Sequence, residues 1–269
     1  MAQTLRALVI GATGNVGRPA VQLLAERGAE VRGLSRAVGD VRDPGALARA
    51  LDGVDAVLLI WPFQSAEGIG DVAAAIGGRS VAYVSSLAVR DDRPPAESGV
   101  WGEVEAALRR HGDAWTFLRA SGFAANTRQW AADIRAGGTV RVPYPQAARS
   151  LIHERDIAAV AAHVLTAPAP GHAGRAYALT GPAAITQAEQ IRTLAAAAGR
   201  DVTVEAATHE EALAQASWAG DGAEEVLRHW ASMAETPEPV TGEVERLTGA
   251  PARPFADWAE EHAAEFRAH

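Results

Sequence analysis

Two residue types are absent from this chain of 269 residues. It has no cysteine, which excludes disulfide bonds, thiolate nucleophiles and zinc sites built on cysteine. It also has no lysine, because all 25 of its basic residues are arginine. Schiff-base catalysis and the lysine of a P-loop nucleotide site are therefore excluded. The simplest interpretation of the arginine-only usage is genome composition rather than selection.

Long apolar runs and an excess of positive charge are also missing. Apolar stretches are short and interrupted by glycine or proline, so none reaches the roughly 20 residues of a membrane helix. The 33 acidic residues outnumber the 25 basic ones, and the net charge of −8 repels phosphate backbones. Residues 1–6 lead directly into an apolar stretch and do not resemble a signal peptide. We therefore expect a cytoplasmic protein with no nucleic-acid or membrane partner.

The chain instead contains an alternation of strand-like and helix-like segments. Several of the predicted strands are apolar throughout, which is typical of a parallel sheet covered on both faces. The predicted strands are residues 4–10, 30–35, 56–60, 80–85 and 114–118, and the predicted helices are residues 15–27, 44–51, 68–76 and 102–111. The pattern predicts an α/β protein with a doubly wound parallel sheet.

The alternation weakens in the C-terminal half. The predicted segments there are helices at 130–136, 156–165 and 187–198 and strands at 139–142, 177–179 and 202–206, followed by further helices. Asp156 is expected to cap its helix. His153 and Glu154 precede it, but no second cluster of ligands matches them, so we expect no metal site. We predict a core domain at residues 1–125 and a smaller mixed or helical substrate lobe at 126–269, packed as one body.

A glycine-rich turn carries the strongest chemical signal. The segment Gly11-Ala12-Thr13-Gly14-Asn15-Val16-Gly17 lies between the first predicted strand and the first predicted helix. Glycine permits a sharp turn and a close approach to a ligand, and a helix N-terminus attracts a pyrophosphate. In this context the segment predicts a dinucleotide site rather than a plain strand-to-helix turn. The predicted cofactor contacts are Gly11, Thr13, Gly14, Asn15, Val16 and Gly17.

The G-x-x-G-x-x-G spacing resembles that of the extended and atypical short-chain dehydrogenases/reductases. Residues 101–105, 115–119, 122–126 and 149–158 are similar to the NmrA-like branch of this superfamily. That branch includes quinone and triphenylmethane-dye reductases as well as dinucleotide-sensing regulators. The resemblance covers nearly the whole chain and implies a Rossmann-type fold that binds NAD(P).

The resemblance also implies how the adenosine half of the cofactor is held. Ser35-Arg36 ends the second strand, where NAD-preferring sites carry an acid and where an arginine can bind a 2′-phosphate. We therefore expect NADPH rather than NADH, the alternative being that Arg36 is a solvated arginine at a strand end. Asp40-Val41 resembles the pair that meets the adenine. Only three residues separate Arg36 from Asp40, which predicts a shortened sheet edge.

Candidate catalytic residues follow from the same resemblance. Ser86 matches the active-site serine, and Ser85 matches the residue near the nicotinamide ribose, at the carboxyl end of a strand. The alternative is that these hydroxyls satisfy strand-end backbone groups. Without lysine, the Tyr-x-x-x-Lys pair of the superfamily cannot form. The loop with Gly122 and Phe123 is expected to pass the nicotinamide.

Aromatic residues predict an apolar acceptor pocket. Ile60, Trp61 and Pro62 stand at the carboxyl end of the strand at 56–60, and we expect them to border the cofactor. Aromatic walls suit flat acceptors, although core packing is the alternative for any single ring. The predicted substrate contacts are Phe63, Trp101, Phe123, Trp130 and Tyr144.

These observations leave three functional hypotheses. The leading one is an NAD(P)H-dependent oxidoreductase, NADPH-preferring, that transfers a hydride to a quinone, enone, imine or ketone. Conjugated acceptors delocalise charge and need less acid assistance, so they tolerate the loss of the Tyr-Lys pair. The second is a catalytically silent NADP(H)-sensing regulator, and the third is an isomerase or cyclase on the same fold. We expect a monomer or a homodimer.

Overall fold

The computed structural model describes residues 4–167 and 171–267. The strands are β1 (Arg6–Ile10), β2 (Glu30–Leu34), β3 (Ala56–Leu59), β4 (Ser80–Ser86), β5 (Trp115–Ala120), β6 (Gly138–Val142), β7 (Ala148–Arg149), β8 (Arg175–Leu179), β9 (Ile185–Thr186) and β10 (Val202–Ala206). The helices are α1 (Gly17–Glu26), α2 (Pro44–Leu51), α3 (Ile69–Ile76), α4 (Gly99–His111), α5 (Ala131–Ala136), α6 (Glu154–Thr166), α7 (Gln187–Ala198), α8 (His209–Gln215), α9 (Ala223–Glu235), α10 (Glu243–Thr248) and α11 (Phe255–Glu261). Short 3-10 turns cover Pro95–Ser98, Ala124–Trp130, Ser217–Gly222 and Ala263–Phe266.

The central sheet confirms the predicted fold class. Its six strands lie in the order β2-β1-β3-β4-β5-β8, and every neighbouring pair is parallel. All residues of β3 are buried, as expected for an interior strand covered on both faces. Helices α1 and α6 pack together, as do α2, α3 and α4, so the sheet is doubly wound. The carboxyl ends of β1, β3 and β4 therefore share one edge of the sheet, where ligands bind in such folds.

The sheet is shortened beside β2, as the sequence predicts. Only Leu34 of this strand is buried, and within the described ranges no strand lies beyond it. Residues 35–43 form turns instead, in which the carbonyl of Ser35 accepts hydrogen bonds from the backbone N–H groups of Val38 and Gly39. This stretch is too short for a crossover helix and a further strand.

Most predicted bounds agree closely with the structure. Helices α2 and α7 and strand β10 have the predicted limits. The N-cap prediction for Asp156 is wrong, because α6 already begins at Glu154 and Asp156 lies within its first turn. Its carboxylate still complements the positive end of the helix dipole there. Residues 124–130 form a 3-10 turn, and α5 begins only after Trp130.

The chain divides into two compact units. The first comprises Met1–Ala120, Glu154–Leu179 and Glu243–Ala250, and the second comprises Ser121–His153, Thr180–Gly242 and Pro251–His269. The units do not follow a single division at residue 125, because α6, β8 and α10 belong to the first. Each has its own apolar core, the first around β1, β3 and α3 and the second around α5, α7 and α11. Within the described ranges, no helix is long and apolar enough to cross a membrane.

Candidate functional site

The glycine turn connects β1 to α1 and needs two of its glycines for its shape. Gly11 has a φ of +87°, a conformation that favours glycine, and its N–H donates to the carbonyl of Leu34. Gly17 begins α1 in close contact with the turn. A Cβ at Gly17 would lie 2.1 Å from the carbonyl oxygen of Gly11, so no larger residue fits there. The turn can therefore close only with glycine at both positions.

The third glycine faces outward. Thr13, Gly14 and Asn15 are exposed, whereas Val16 is buried. A Cβ at Gly14 would contact only the carbonyl oxygen of Gly11, at 3.3 Å, so packing does not demand glycine here. Helix α1 has no side-chain N-cap and no acidic residue in its first turn. Its positive end is therefore not neutralised by its own side chains, an arrangement that fits a pyrophosphate.

The arginines beside the turn differ in how far their guanidinium groups are used. Arg32 donates to the carbonyls of Arg49, Ala50 and Asp52, at 2.7–3.1 Å, and so caps the C-terminal end of α2. Arg36 is exposed and makes no hydrogen bond or ion pair within the described ranges. A free guanidinium directly after Ser35 at the end of β2 suits an anionic ligand group.

Asp40 and Val41 precede α2 and have unlike environments. The carboxylate of Asp40 accepts hydrogen bonds from the backbone and the side chain of Arg42, which hold its pKa below the usual range. The side chain of Val41 is buried in the first core. The Arg42 guanidinium stacks 3.7 Å above the centre of the Phe63 ring. Phe63, predicted to contact the substrate, is therefore covered on one face by an arginine of the expected adenine end.

The loop after β3 packs against the glycine turn. The N–H of Ile60 donates to the carbonyl of Ile10, and the side chain of Ile60 is 3.0 Å from where a Cβ of Gly11 would lie. The Trp61 indole donates to the carbonyl of Ser65 and meets Phe63 edge-on at 5.0 Å. Pro62, between these two rings, is exposed. Ile60 and the glycine turn thus lie together, and the contact of Ile60 with the cofactor stays a prediction.

The two serines at the end of β4 have separate roles. Ser85 is buried and donates its hydroxyl proton to Glu105 Oε1 at 2.6 Å. Ser86 is half-buried, and its hydroxyl oxygen accepts the N–H of Ala88 at 3.1 Å. Within the described ranges its own proton has no acceptor. Of the two, only Ser86 retains a proton that a ligand could receive.

An ionic network around the buried Glu105 of α4 was not foreseen from the sequence. Glu105 is fully buried and accepts hydrogen bonds from the guanidinium of Arg119, which also binds Asp91 at 2.6 and 2.8 Å. Arg119 lowers the pKa of Asp91 to about 2, and the two carboxylates raise the pKa of Arg119. The missed signal is a carboxylate among the apolar residues of α4, because a buried charge requires a partner.

The remaining predicted residue of the first unit is Trp101. It lies in the first turn of α4 and is 40% exposed. An indole this exposed is available to a ligand rather than used in the core. Its contact with a substrate stays a prediction.

Four predicted residues lie in the second unit. Phe123 forms a parallel β-bridge with Ile152, whose N–H donates to the carbonyl of Gly122. Trp130 is 5% exposed and belongs to the second core, which leaves it little surface for a substrate. Tyr144 is 37% exposed and has a φ of +48°, which is strained for a tyrosine.

Comparison with known proteins identifies the family of this chain. The sequence profile of the NAD dependent epimerase/dehydratase family matches residues 7–73. The (4-alkanoyl-5-oxo-2,5-dihydrofuran-3-yl)methyl phosphate reductase of Streptomyces griseus is 39% identical, over 96% of this chain and 98% of that protein. The NAD(P)H azoreductase of Xenophilus azovorans is 35% identical, over 97% of this chain and 99% of that protein. The chain belongs to the NmrA-like short-chain reductases. As a member of this family it is an NAD(P)H-dependent oxidoreductase.

The NmrA-like fold is also evident in solved structures. The NADPH complex of the NADPH-dependent quinone oxidoreductase from Escherichia coli superposes with a TM-score of 0.74. It is 24% identical and covers 95% of this chain and 99% of its own. This NmrA-like reductase has no lysine. At the end of β4, Ser86 follows Ser85, whose hydroxyl is bound to the buried Glu105.

Proposed function

We propose that this NmrA-like reductase prefers NADPH and reduces a small conjugated acceptor, a quinone, enone or imine. The observation that carries the cofactor preference is the free guanidinium of Arg36. Its neighbour Arg32 is held at the end of α2 through Nη1, whereas Arg36 makes no hydrogen bond or ion pair within the described ranges, so Arg36 is the better candidate for a 2′-phosphate. The pyrophosphate would lie on the exposed face of Gly14, at the uncapped N-terminus of α1.

In this proposal the residues of the chain bind the cofactor, orient the acceptor and donate a proton to it. NADPH, when bound, supplies the hydride. Ile60 and the glycine turn hold the cofactor edge, and Trp61 and Trp101 offer apolar surface to a flat acceptor. Ser86 offers a hydroxyl proton at the end of β4. Holding the acceptor beside the nicotinamide lowers the barrier to hydride transfer. A conjugated acceptor also delocalises the negative charge that develops on it, so it does not require a Tyr-Lys pair as the acid.

The relatives support the acceptor class by their names. One reduces a 5-oxo-2,5-dihydrofuran that carries an alkanoyl group, which is a conjugated alkene. The other reduces azo compounds, which are also conjugated. Both relatives cover nearly the full length of this chain, so the similarity includes the segment that contains Phe123 and Tyr144.

A fluorescence titration tests the proposal. The seven tryptophans should report NADPH binding by energy transfer, and NADPH should bind at least tenfold more tightly than NADH. Menadione, a cyclic enone, an imine and an azo dye are then added in turn. Acceptor-dependent loss of the NADPH signal supports the reductase. Tight binding without turnover favours the NADP(H)-sensing or non-redox hypothesis, and absence of binding contradicts the cofactor site.

A further inference from the structure

Arg42 and Phe63 join the two loops that follow β2 and β3. The Cζ atom of Arg42 lies 3.7 Å from the centre of the Phe63 ring, so the guanidinium rests on the face of that ring. Strands β2 and β3 flank β1 in the sheet, and strands two places apart lie about 10 Å from each other. The contact therefore bridges the loops on either side of β1, at the edge of the sheet where the glycine turn lies.

The other contacts of Arg42 leave one face of its guanidinium uncovered. Its aliphatic stem lies against Gly68, where a Cβ would be 3.1 and 3.2 Å from the Cδ and Cγ atoms of Arg42. The edge of the guanidinium meets Asp40, with Nη2 donating to Oδ2 at 3.1 Å. The side chain is still 36% exposed. Because the stem, one edge and one face are in contact, the face turned away from Phe63 is the surface left for a ligand.

The charges around Arg42 disfavour an anionic ligand. The carboxylate of Asp40 is paired with the guanidinium, and the negative charge of Glu67 also acts on it. A phosphate at Arg42 would meet the repulsion of both carboxylates. A neutral planar ring on the guanidinium face displaces neither of them, because the ion pair uses only the edge. Arg42 differs in this from Arg36, which makes no ion pair within the described ranges.

Arg42 belongs to the same short segment as Arg36. Residues 35–43 fold back on the end of β2, since the N–H of Gly39 donates to the carbonyl of Ser35 and a Cβ at Gly39 would lie 3.8 Å from Leu34 Cδ1. In NADPH the base and the 2′-phosphate are carried by the same ribose. With the 2′-phosphate at Arg36, the base falls near this segment, and the free face of Arg42 is the flat surface that the segment offers.

The polar groups of this segment are not placed to read the edge of a base. Both carboxylate oxygens of Asp40 accept hydrogen bonds from Arg42, and such charge-assisted bonds are stronger than one from a neutral amine. Val41, the next residue, is 4% exposed and belongs to the first core. An adenine ring in this position would be held by its face, and its exocyclic amine would not be distinguished.

We propose that Arg42, supported by Phe63, is the base-stacking residue of the cofactor site and makes that site indifferent to the amino group of adenine. This inference rests on the proposed function, because it concerns the dinucleotide assigned to the glycine turn and Arg36. Stacking tolerates changes at the edge of a base, since every base has a π-face. Hypoxanthine, which has a carbonyl in place of the amine, is therefore accepted as well. Phe63 then supports the stacking surface instead of contacting the acceptor.

Fluorescence titration with three cofactors tests the proposal. They are NADPH, NADH and the NADPH analogue that carries hypoxanthine in place of adenine. The natural chain should bind NADPH and the analogue with Kd values within about threefold of each other. Arg42→Leu should raise the Kd of NADPH and of NADH by the same factor, roughly 5- to 30-fold, because both carry the stacked base. Arg42→Lys should lose most of the same affinity, because an ammonium has no flat face.

Arg109 supplies a matched control. It also lies over aromatic rings, those of Trp115 and Phe117, and also pairs with an aspartate, Asp91. However, Trp115 begins β5 and so lies at the amino-terminal edge of the parallel sheet, opposite the glycine turn. Arg109→Leu should therefore leave the Kd of both cofactors unchanged. Urea unfolding of each variant verifies that its fold is retained, and the titration with the analogue needs no variant.

The outcomes separate this inference from the proposed function. If the natural chain binds the analogue more than about threefold more weakly than NADPH, the amine is read, and the inference is overturned while the cofactor site stands. A loss confined to NADPH in Arg42→Leu assigns Arg42 to the 2′-phosphate and also overturns it. Unchanged affinity for both cofactors in Arg42→Leu does the same. If the natural chain binds none of the three, the cofactor site of the proposed function is overturned together with this inference.

Discussion

The ends of β1 and β4 lie at the same edge of one sheet, yet they differ in whether their polar groups already have hydrogen-bond partners within the protein. At the end of β1, the glycine turn leaves Gly14 exposed and the N-terminus of α1 without a side-chain cap. At the end of β4, Ser85 is engaged by Glu105, and Glu105 is engaged by Arg119. The end of β1 is open to a ligand, whereas at the end of β4 the hydroxyl of Ser85 is already bound within the protein and only Ser86 keeps an unused proton.

The difference teaches where binding capacity lies in this fold. A group that already has its hydrogen-bond partners contributes stability, whereas one without partners contributes affinity. By this criterion Arg36 and Ser86 are available to ligands, and Arg32 and Ser85 are part of the scaffold. The following predictions test that division, from the largest expected effect to the smallest.

Substitutions at Gly14 and Gly17 of the turn should affect different properties, cofactor binding and stability. Gly14→Val should weaken NADPH binding by about 1000-fold or more, because the new side chain occupies the face that a pyrophosphate would approach. The chain should remain folded. Gly17→Ala should instead lower the free energy of unfolding by about 3 kcal/mol, because its Cβ meets a backbone oxygen. Fluorescence titration and urea unfolding of both variants measure the two effects, and retained binding in Gly14→Val would contradict the turn assignment.

Glu105→Leu should remove the hydrogen bonds that hold Ser85 at the end of β4 and Arg119 in β5. It leaves the mostly buried Arg119 with Asp91 alone, so the free energy of unfolding should fall by about 3 kcal/mol. NADPH affinity should change little, because the turn at β1 is not involved. The double variant Glu105→Leu/Arg119→Met removes both charges and should recover much of the loss. A double variant no more stable than the single one would show that the pair is not the source of the effect.

Arg36→Ala should separate the two cofactors. NADPH affinity should fall roughly 10- to 100-fold through loss of charge-assisted hydrogen bonds, whereas NADH affinity should change less than about twofold. The matched control is Arg32→Ala, which should lower stability by about 1 kcal/mol by uncapping α2 and affect both cofactors equally. Equal weakening of both cofactors by Arg36→Ala would remove the 2′-phosphate assignment.

The smallest effect concerns acid stability. The folded-state pKa of Asp91 is about 2, below its ordinary value of 3.8, because Arg119 donates hydrogen bonds to the carboxylate. Its contribution is therefore present above about pH 4 and is lost as the pH falls through 2. Asp91 is 63% exposed, so the contribution should be below about 1 kcal/mol.

Unfolding titrations between pH 5 and pH 2 measure this contribution. Asp91→Asn should flatten the decline in stability over that interval. Asp113→Asn, at an exposed aspartate without a hydrogen bond in the described ranges, should leave the decline as it is. Equal curves for Asp91→Asn and the natural chain would show that the ion pair with Arg119 adds no stability in solution.

Much of the fold follows from local pattern. The bounds of α2 and α7 can be predicted from the sequence, because the amphipathic period and the N-cap residue, Asp43 or Thr186, are local signals. The shortened edge beyond β2 is legible from the number of residues between Arg36 and Asp40. The predicted cap at Asp156 failed because Glu154 is equally suited to the first turn of a helix.

The sequence by itself determined the α/β class, the glycine turn between β1 and α1 and the impossibility of a Tyr-Lys pair, because each depends on residue identity and short-range spacing. Only the tertiary structure decided which polar groups are already satisfied. Ser85 meets Glu105 across 20 residues, and Arg119 meets Asp91 across 28. Arg149 likewise reaches Gly122 from a distant strand. Such contacts join residues that no local pattern relates, because burial and pairing arise only when the elements pack.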